Sequence, residues 1–233
     1  MDLYSTIFSR HSIHGFDPAP LDAKVVEEIL DVARQAGCLD GQTVRVEVVG
    51  PEQVSGSSAP HHLAAFTAQD DAGFANAGYV LQLADLTIQA RGLGSHWLGM
   101  PRLKRKQPGF TILLAFGDTS EPPRSEDALN RLELDAISSE DNPVARAVRA
   151  APSGMNDQPW RIEFEDGLVR LIHTKRGPMS MILAKRMDKV SLGIASRHAV
   201  IALQHQGAQV TKVAPATASG GASAPFSIEI SYQ

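Results

Sequence analysis

Apolar residues recur along this chain with two distinct periods, and the switches between them outline its elements. Behind Asp22, the residues Val25, Val26, Ile29, Leu30 and Ala33 fall at helical spacing. They predict an amphipathic helix with Asp22 as N-cap, Glu27 and Glu28 in its first turns and Gly37 as its stop. A shorter helix is predicted from Leu3 to Ser9, broken by Phe16-Asp17-Pro18-Ala19-Pro20. The run from Phe74 to Arg91 carries Tyr79, Val80, Leu83, Leu86 and Ile88 and is apolar around much of its circumference. It should lie at the centre of the core, capped by Gly92. Pro143 to Arg149 is again helical. Strand patterns occupy Val44 to Val49, Phe110 to Phe116, Arg161 to Phe164 and Phe226 to Tyr232.

The intervening stretches read as connections. Glu52 to Asp71 is loose and rich in Ser and Ala, Leu103 to Gln107 is a basic solvated loop, and Gly117 to Asn130 is a polar crossover. Ala214 to Ala224 has the composition of a linker. The connection between the fourth helix and the strand after it is the most informative. In Ala151-Pro152-Ser153-Gly154-Met155-Asn156-Asp157-Gln158-Pro159-Trp160, Pro, Gly and Asn stop the helix and supply unusual backbone angles. Such a turn is expected to leave amide N–H groups open and to offer Ser and Asn side chains to a flat polar ligand.

A shift of 116 residues superposes Gln42, Arg45 and Glu47 on Gln158, Arg161 and Glu163, and Leu21 on Ile137. A shift of 115 places Ala84, Gln89 and Gly92 on Ala199, Gln204 and Gly207. Two segments that agree within one residue of offset predict an internal repeat.

Composition narrows the functional classes. The 233 residues are 43% hydrophobic and 21% charged, which predicts a folded chain with a sizeable core. A formal charge of −4 favours neither nucleic acid nor an acidic membrane as partner. Cys38 is the single cysteine, so no intrachain disulfide forms. The absence of a signal-peptide pattern or a long apolar run adds to the expectation of a cytoplasmic protein. His61-His62 lacks a third ligand at suitable spacing and reads as part of a solvated loop. The Gly92-x-Gly94 pair follows a helix and not a strand, so it is no dinucleotide fingerprint.

Three stretches resemble the FMN-dependent nitroreductase superfamily: Pro152-Ser153-x-x-Asn156-x-Gln158-Pro159-Trp160, Ser9-Arg10-His11-Ser12-Ile13-His14-Gly15-Phe16, and Gly92-Leu93-Gly94-Ser95-His96-Trp97-Leu98-Gly99. The repeat is similar to a single-chain branch in which one chain folds as a pseudo-dimer. The resemblance implies an α+β fold, with a mostly antiparallel central sheet flanked by helices. It implies two pseudo-symmetric halves, residues 1–120 and 121–233, in one compact unit that can pair again as a homodimer. It implies FMN as cofactor, NAD(P)H as reductant and a nitroaromatic, quinone or similar acceptor in a ping-pong cycle. Arg10, with His11 and Ser12, would meet the flavin phosphate or pyrimidine edge. His14 stands where the family often has a second Arg, and Arg131 matches a basic position used on the phosphate. Pro152, Ser153 and Asn156 would border the ring, and the Gly99 amide, with Leu98, would reach flavin N5. No catalytic side chain is then required, although His96 is a candidate proton donor; Trp97 and Trp160 read as core. The shift of 116 puts Glu126 and Ala128 opposite Arg10 and Ser12, and Gly37 opposite Ser153, so only one flavin site is expected per chain. The rival reading is a degenerate protein that binds flavin without turnover.

Overall fold

The computed structural model describes residues 1–99, 102–125, 128–174, 182–217 and 225–233. Helix α1 (Leu3–Ser9) is capped by the Asp2 side chain and leads to α2 (Ala23–Gln35), where Asp22 accepts the Lys24 N–H at 2.7 Å. Strand β1 (Arg45–Val49) follows, then β2 (Val54–Ser55) and β3 (His61–Phe66). Helix α3 (Asp71–Ala90) is set by the Asp70 cap on Gly73 and stopped at Gly92, where φ is +78°. Strands β4 (Gly94–Leu98), β5 (Arg102–Leu103) and β6 (Phe110–Gly117) complete the first set. The second set is α4 (Pro143–Ala150), β7 (Trp160–Glu165), β8 (Leu168–His173), α5 (Ile182–His205), β9 (Val210–Thr217) and β10 (Phe226–Tyr232).

The two sets repeat one topology. One antiparallel sheet has the order β1-β3-β6-β4 and the other β7-β8-β10-β9, so each strand occupies the place of its counterpart. Helices α3 and α5 cross between the sheets so closely that only glycine fits. A Cβ on Gly78 would stand 2.0 Å from the Val190 carbonyl oxygen, and one on Gly193 would stand 1.8 Å from that of Ala75. These two contacts are the same contact seen from either side, since both residue pairs are related by a shift of 115. A pseudo-twofold axis therefore passes through the helix crossing. Near it, Gln82 Nε2 lies 3.1 Å from His198 Nε2.

The larger apolar core spans both sets, joining Leu81, Leu86 and Leu114 to Val148, Trp160, Leu192 and Ile228, and a smaller cluster around Val49, Phe66 and Leu113 belongs to the first set. Each such side chain contributes about 1.5–3 kcal/mol on burial. The expected α+β class and antiparallel pairing hold, with the pairing divided between two four-stranded sheets.

Four connections differ from the sequence expectation. Residues 61–66 form a central strand, with Leu63, Ala64, Ala65 and Phe66 buried. The two histidines disguised it. His62 is buried against Ser57 Oγ at 2.8 Å, and burial pushes its pKa down to about 4; His61 Nε2 accepts the Leu21 N–H. Leu103 pairs with Val54 in the β2–β5 ribbon and is not in a free loop. Gly94 to Leu98, a stretch with no strand pattern of its own, is a strand paired to β6 and carries His96. Ala214 to Thr217 belongs to β9, held in register by β10; residues 218–224 of the expected linker lie outside the described residues.

Candidate functional site

Beyond α1 the chain runs extended across the end of α3, and this places Arg10. Ile13 N–H donates to the Ser95 carbonyl at 3.0 Å. Gln89 clamps His11, with Oε1 accepting its N–H at 3.1 Å and Nε2 donating to its carbonyl at 2.6 Å. Arg10 is 2% exposed, and its Nε donates to Asp85 Oδ2 at 2.8 Å. Asp85, fully buried on α3, also accepts from Ser95 Oγ at 2.5 Å and Trp97 Nε1 at 3.3 Å. A buried guanidinium needs such a counter-charge. Arg10 Nη2 is left without a partner.

The second wall comes from the turn after α4. Met155, Asn156 and Gln158 all adopt positive φ, at 54°, 61° and 48°. Each costs about 1–2 kcal/mol for a residue with a Cβ, and the turn is correspondingly braced. Gln158 N–H donates to Ser153 Oγ at 3.0 Å, Gly154 N–H to Ser191 Oγ at 3.1 Å, and Asn156 N–H to the Ser153 carbonyl at 3.1 Å. The amides of Gly154, Asn156, Asp157 and Gln158 are thus paired, which leaves those of Ser153 and Met155 as the turn's open N–H groups. The Ser153 hydroxyl, which accepts the Gln158 N–H, keeps its own proton to donate. Arg131 ties the turn to the end of α4. Its Nε donates to the Ala151 carbonyl at 3.1 Å and its Nη1 to Asn156 Oδ1 at 2.9 Å.

Between these walls lies a cleft of about 270 Å³ that brings together Arg10, His11, Ser12, Arg131, Pro152, Ser153 and Asn156. Arg124, which no sequence pattern singled out, also lines it. Its Nη2 donates to the Phe8 carbonyl at 2.8 Å, while its buried Nε has no partner. His11 Nδ1 is likewise buried and unpartnered, and Nε2 lies 3.8 Å from Glu121 Oε2. Burial, followed by the charges of Arg10, Arg124 and Arg149, pushes the Arg131 pKa down to about 10. Three arginines converge on one small space, and two of them, Arg10 and Arg124, keep a buried nitrogen without a partner. An unmade hydrogen bond costs about 1–3 kcal/mol per buried group, and a polyanion such as a phosphate monoester is the ligand class that such a cationic cluster suits. A flavin phosphate fits this donor set.

The remaining expected residues lie apart from the cleft lining. His14 is exposed, its ring 4.2 Å from that of His96. Burial, then the nearby His14 and Arg10, hold the His96 pKa at about 4. Leu98 and Gly99 line a second cavity of about 600 Å³. Met187 of α5 joins the two regions: its Cε is 3.4 Å from the Cβ position of Gly99, and its Cβ 3.4 Å from that of Gly154. Trp160 is core, as expected. Trp97 packs against the core and adds a hydrogen bond to Asp85. Asp85 did leave a signal in the sequence, as the one charged residue between Ala72 and Ala90; Arg124 and Met187 left none.

Across the pseudo-twofold axis, Leu39 N–H donates to Asn76 Oδ1 at 2.9 Å, as Gly154 N–H does to Ser191 Oγ. Both members of the two pairs are 115 positions apart. This moves the expected alignment of the turns by one residue and sets Cys38, not Gly37, opposite Ser153. Glu126, expected opposite Arg10, lies outside the described residues.

None of the curated proteins matches the chain. A crystal structure from Thermotoga maritima MSB8, described as "a putative nitroreductase", aligns over 99% of this chain and 93% of its own, at 17% identity and a TM-score of 0.71. A nitroreductase in complex with FMN from Desulfovibrio desulfuricans, also described as "putative", covers 61% of this chain and 98% of its own, at 17% identity and a TM-score of 0.47. A family model described as "Putative TM nitroreductase" matches residues 2–203. The chain belongs to this nitroreductase family.

Proposed function

We propose that the chain holds one FMN between its two halves and transfers electrons from NAD(P)H to a nitroaromatic, quinone or similar acceptor. The observation that carries this reading is the gathering of Arg10, Arg124 and Arg131 with Ser12, Ser153 and Asn156 around the 270 Å³ cleft, with an unpartnered buried nitrogen on Arg10 and on Arg124. Arg10, Arg124 and Arg131 would hold the phosphate, with Ser12, Ser153 and Asn156 supplying neutral hydrogen bonds. Asp85 keeps Arg10 in place without entering the cleft. Flavin supplies the two-electron chemistry when bound. The protein contributes orientation, partial exclusion of water, and the Gly99 amide as a donor toward N5. His96 supports a role without a side-chain acid, because a pKa of about 4 leaves it neutral near pH 7. The absence of a dinucleotide fingerprint and the size of the cleft favour FMN over FAD.

We take residues 1–120 and 121–233 as the two halves, working together in the cytoplasm, where the exposed Cys38 stays reduced. The test is flavin titration of purified protein, followed by mass measurement of the extracted cofactor. One FMN per chain, bleached by NADH or NADPH and reoxidised by a nitroaromatic or quinone, is the expected result. Adenine-containing flavin would overturn the cofactor assignment, and yellow protein that neither reductant bleaches would make this a binding protein. Protein that takes up no flavin at all would sink the reading.

A further inference from the structure

The 600 Å³ cavity beside Gly99 is separate from the phosphate-sized cleft, and its lining has a definite character. Leu98, Leu103, Phe110 and Met187 give it apolar walls. Gln69, Gln107 and Thr111 add neutral polar groups, Lys106 and Arg186 add two cations, and no carboxylate is present among the described residues that line it. Arg186 is a fixed charge: its Nη2 donates to the Phe110 carbonyl at 3.1 Å, and its guanidinium carbon lies 5.3 Å from the Phe74 ring centroid. Lys106 is exposed and able to follow a ligand. The volume suits one small planar molecule, since ligand pockets commonly span about 300–1,000 Å³. Apolar walls with cations and no opposing acid select a flat body bearing an anionic group.

We propose that this cavity is the acceptor site and that it selects planar aromatic acceptors carrying a carboxylate or similar anion, with Lys106 as a specificity-determining residue. The proposal rests on the flavin reading above, because Gly99 is common to this cavity and to the position assigned to N5. A neutral acceptor of the same shape would gain the apolar contacts but not the charge, and a cationic one would be repelled.

The test uses 4-nitrobenzoate and its neutral analogue 4-nitrobenzamide, titrated onto the oxidised, FMN-loaded chain without reductant. FMN uptake is measured first on the same preparation. Wild type should bind the carboxylate about three- to tenfold more tightly than the amide, the size of a partly solvated charge contact. Lys106→Gln should bring the two probes to near equality, and Lys106→Glu should reverse the order. FMN affinity should stay within about twofold in both variants, because a solvated charge away from the phosphate cleft contributes little to it. Steady-state kcat/KM for the two acceptors should follow the same order. Equal binding of the probes by wild type would overturn the proposal, as would Lys106 variants that weaken both probes alike. A Lys106→Gln change that instead lowered FMN affinity or the flavin potential would also overturn it, by assigning these cations to the cofactor. Failure to take up FMN would count against the flavin reading alone; the same titration on the flavin-free chain then decides whether the cavity prefers the carboxylate.

Discussion

The two turns related by the pseudo-twofold axis begin from the same anchor and end in different chemistry. Each follows a helix, and each fixes one amide on a polar side chain of a crossing helix, Leu39 on Asn76 and Gly154 on Ser191. The turn at 154–156 then borders a cleft where guanidinium nitrogens are left unsatisfied. The turn at 37–41 is consumed by its own surroundings. Arg197 donates through Nη2 to the carbonyls of Ala36 and Gly37 and through Nε to that of Tyr79, with its guanidinium 3.5 Å above the Tyr79 ring. Asp40 donates its N–H to Val213 and pairs with Lys212. One arginine is therefore spent on structure, while Arg10 and Arg124 retain donors for a ligand. Symmetry in the backbone does not require symmetry in function, because the orphaned donors are a property of side chains.

The sharpest way to break the comparison is at the crossing itself. Gly78→Ala and Gly193→Ala each push a methyl into a backbone carbonyl and should cost about 3 kcal/mol or more, at the upper end of overpacking. Urea denaturation should show closely matched losses; a tolerated substitution on one side would mean the two helix contacts are not equivalent. Arg197→Met should lower stability by roughly 3 kcal/mol by stranding buried carbonyls, yet leave FMN affinity unchanged. An equal loss of flavin binding would place the counterpart turn in a working site.

Acidity tests the axis next. Burial pushes the His198 pKa down to about 4 from the usual 6.5. The unfolded chain therefore binds a proton that the folded chain refuses. Stability is fully present above about pH 6.5 and falls as the pH drops toward 4, by up to about 3 kcal/mol for this group. His62 and His96 act in the same direction. Denaturation midpoints at pH 7 and pH 5 should lie closer together in His198→Gln than in wild type; an unchanged gap would remove His198 as a contributor.

On the cleft-facing side, Arg10→Ala and Arg124→Ala should each weaken FMN binding roughly ten- to a hundredfold, the value of a charge-assisted contact of about 1.5–3 kcal/mol. Arg10→Ala should also lower stability, since it strands Asp85, whereas Arg124→Ala should act mainly on affinity. Fluorescence titration and thermal melts of the two variants separate these effects. The smallest expected change is at His96. His96→Ala should leave flavin reduction by NAD(P)H within about tenfold of wild type, whereas loss of a general acid typically costs about 10²–10⁴-fold. A stopped-flow rate in that lower range would make His96 the proton donor.

Local pattern alone determined much of this protein. The 3.6-residue period set α2 and α3, the unbroken apolar run set β6, and alternation set β1, β7 and β10, because each signal is complete within a few turns or a few residues of chain. The cleft-facing turn was legible for the same reason, the Arg10 stretch only through its resemblance to a family motif, and offsets of 115 and 116 announced the pseudo-symmetry. Tertiary structure decided what lies beyond that range. Strand β3 hid because two histidines inside an alanine-rich run look solvated until neighbouring strands pair along both of its edges. Arg10 reads identically in sequence whether exposed or buried; its state was settled by Asp85, which lies 75 positions away. Arg124 joined the cleft only because the crossover carries it back to Phe8 and Ser9. Orphaned donors are defined by the partners that packing withholds, and no one-dimensional pattern records those.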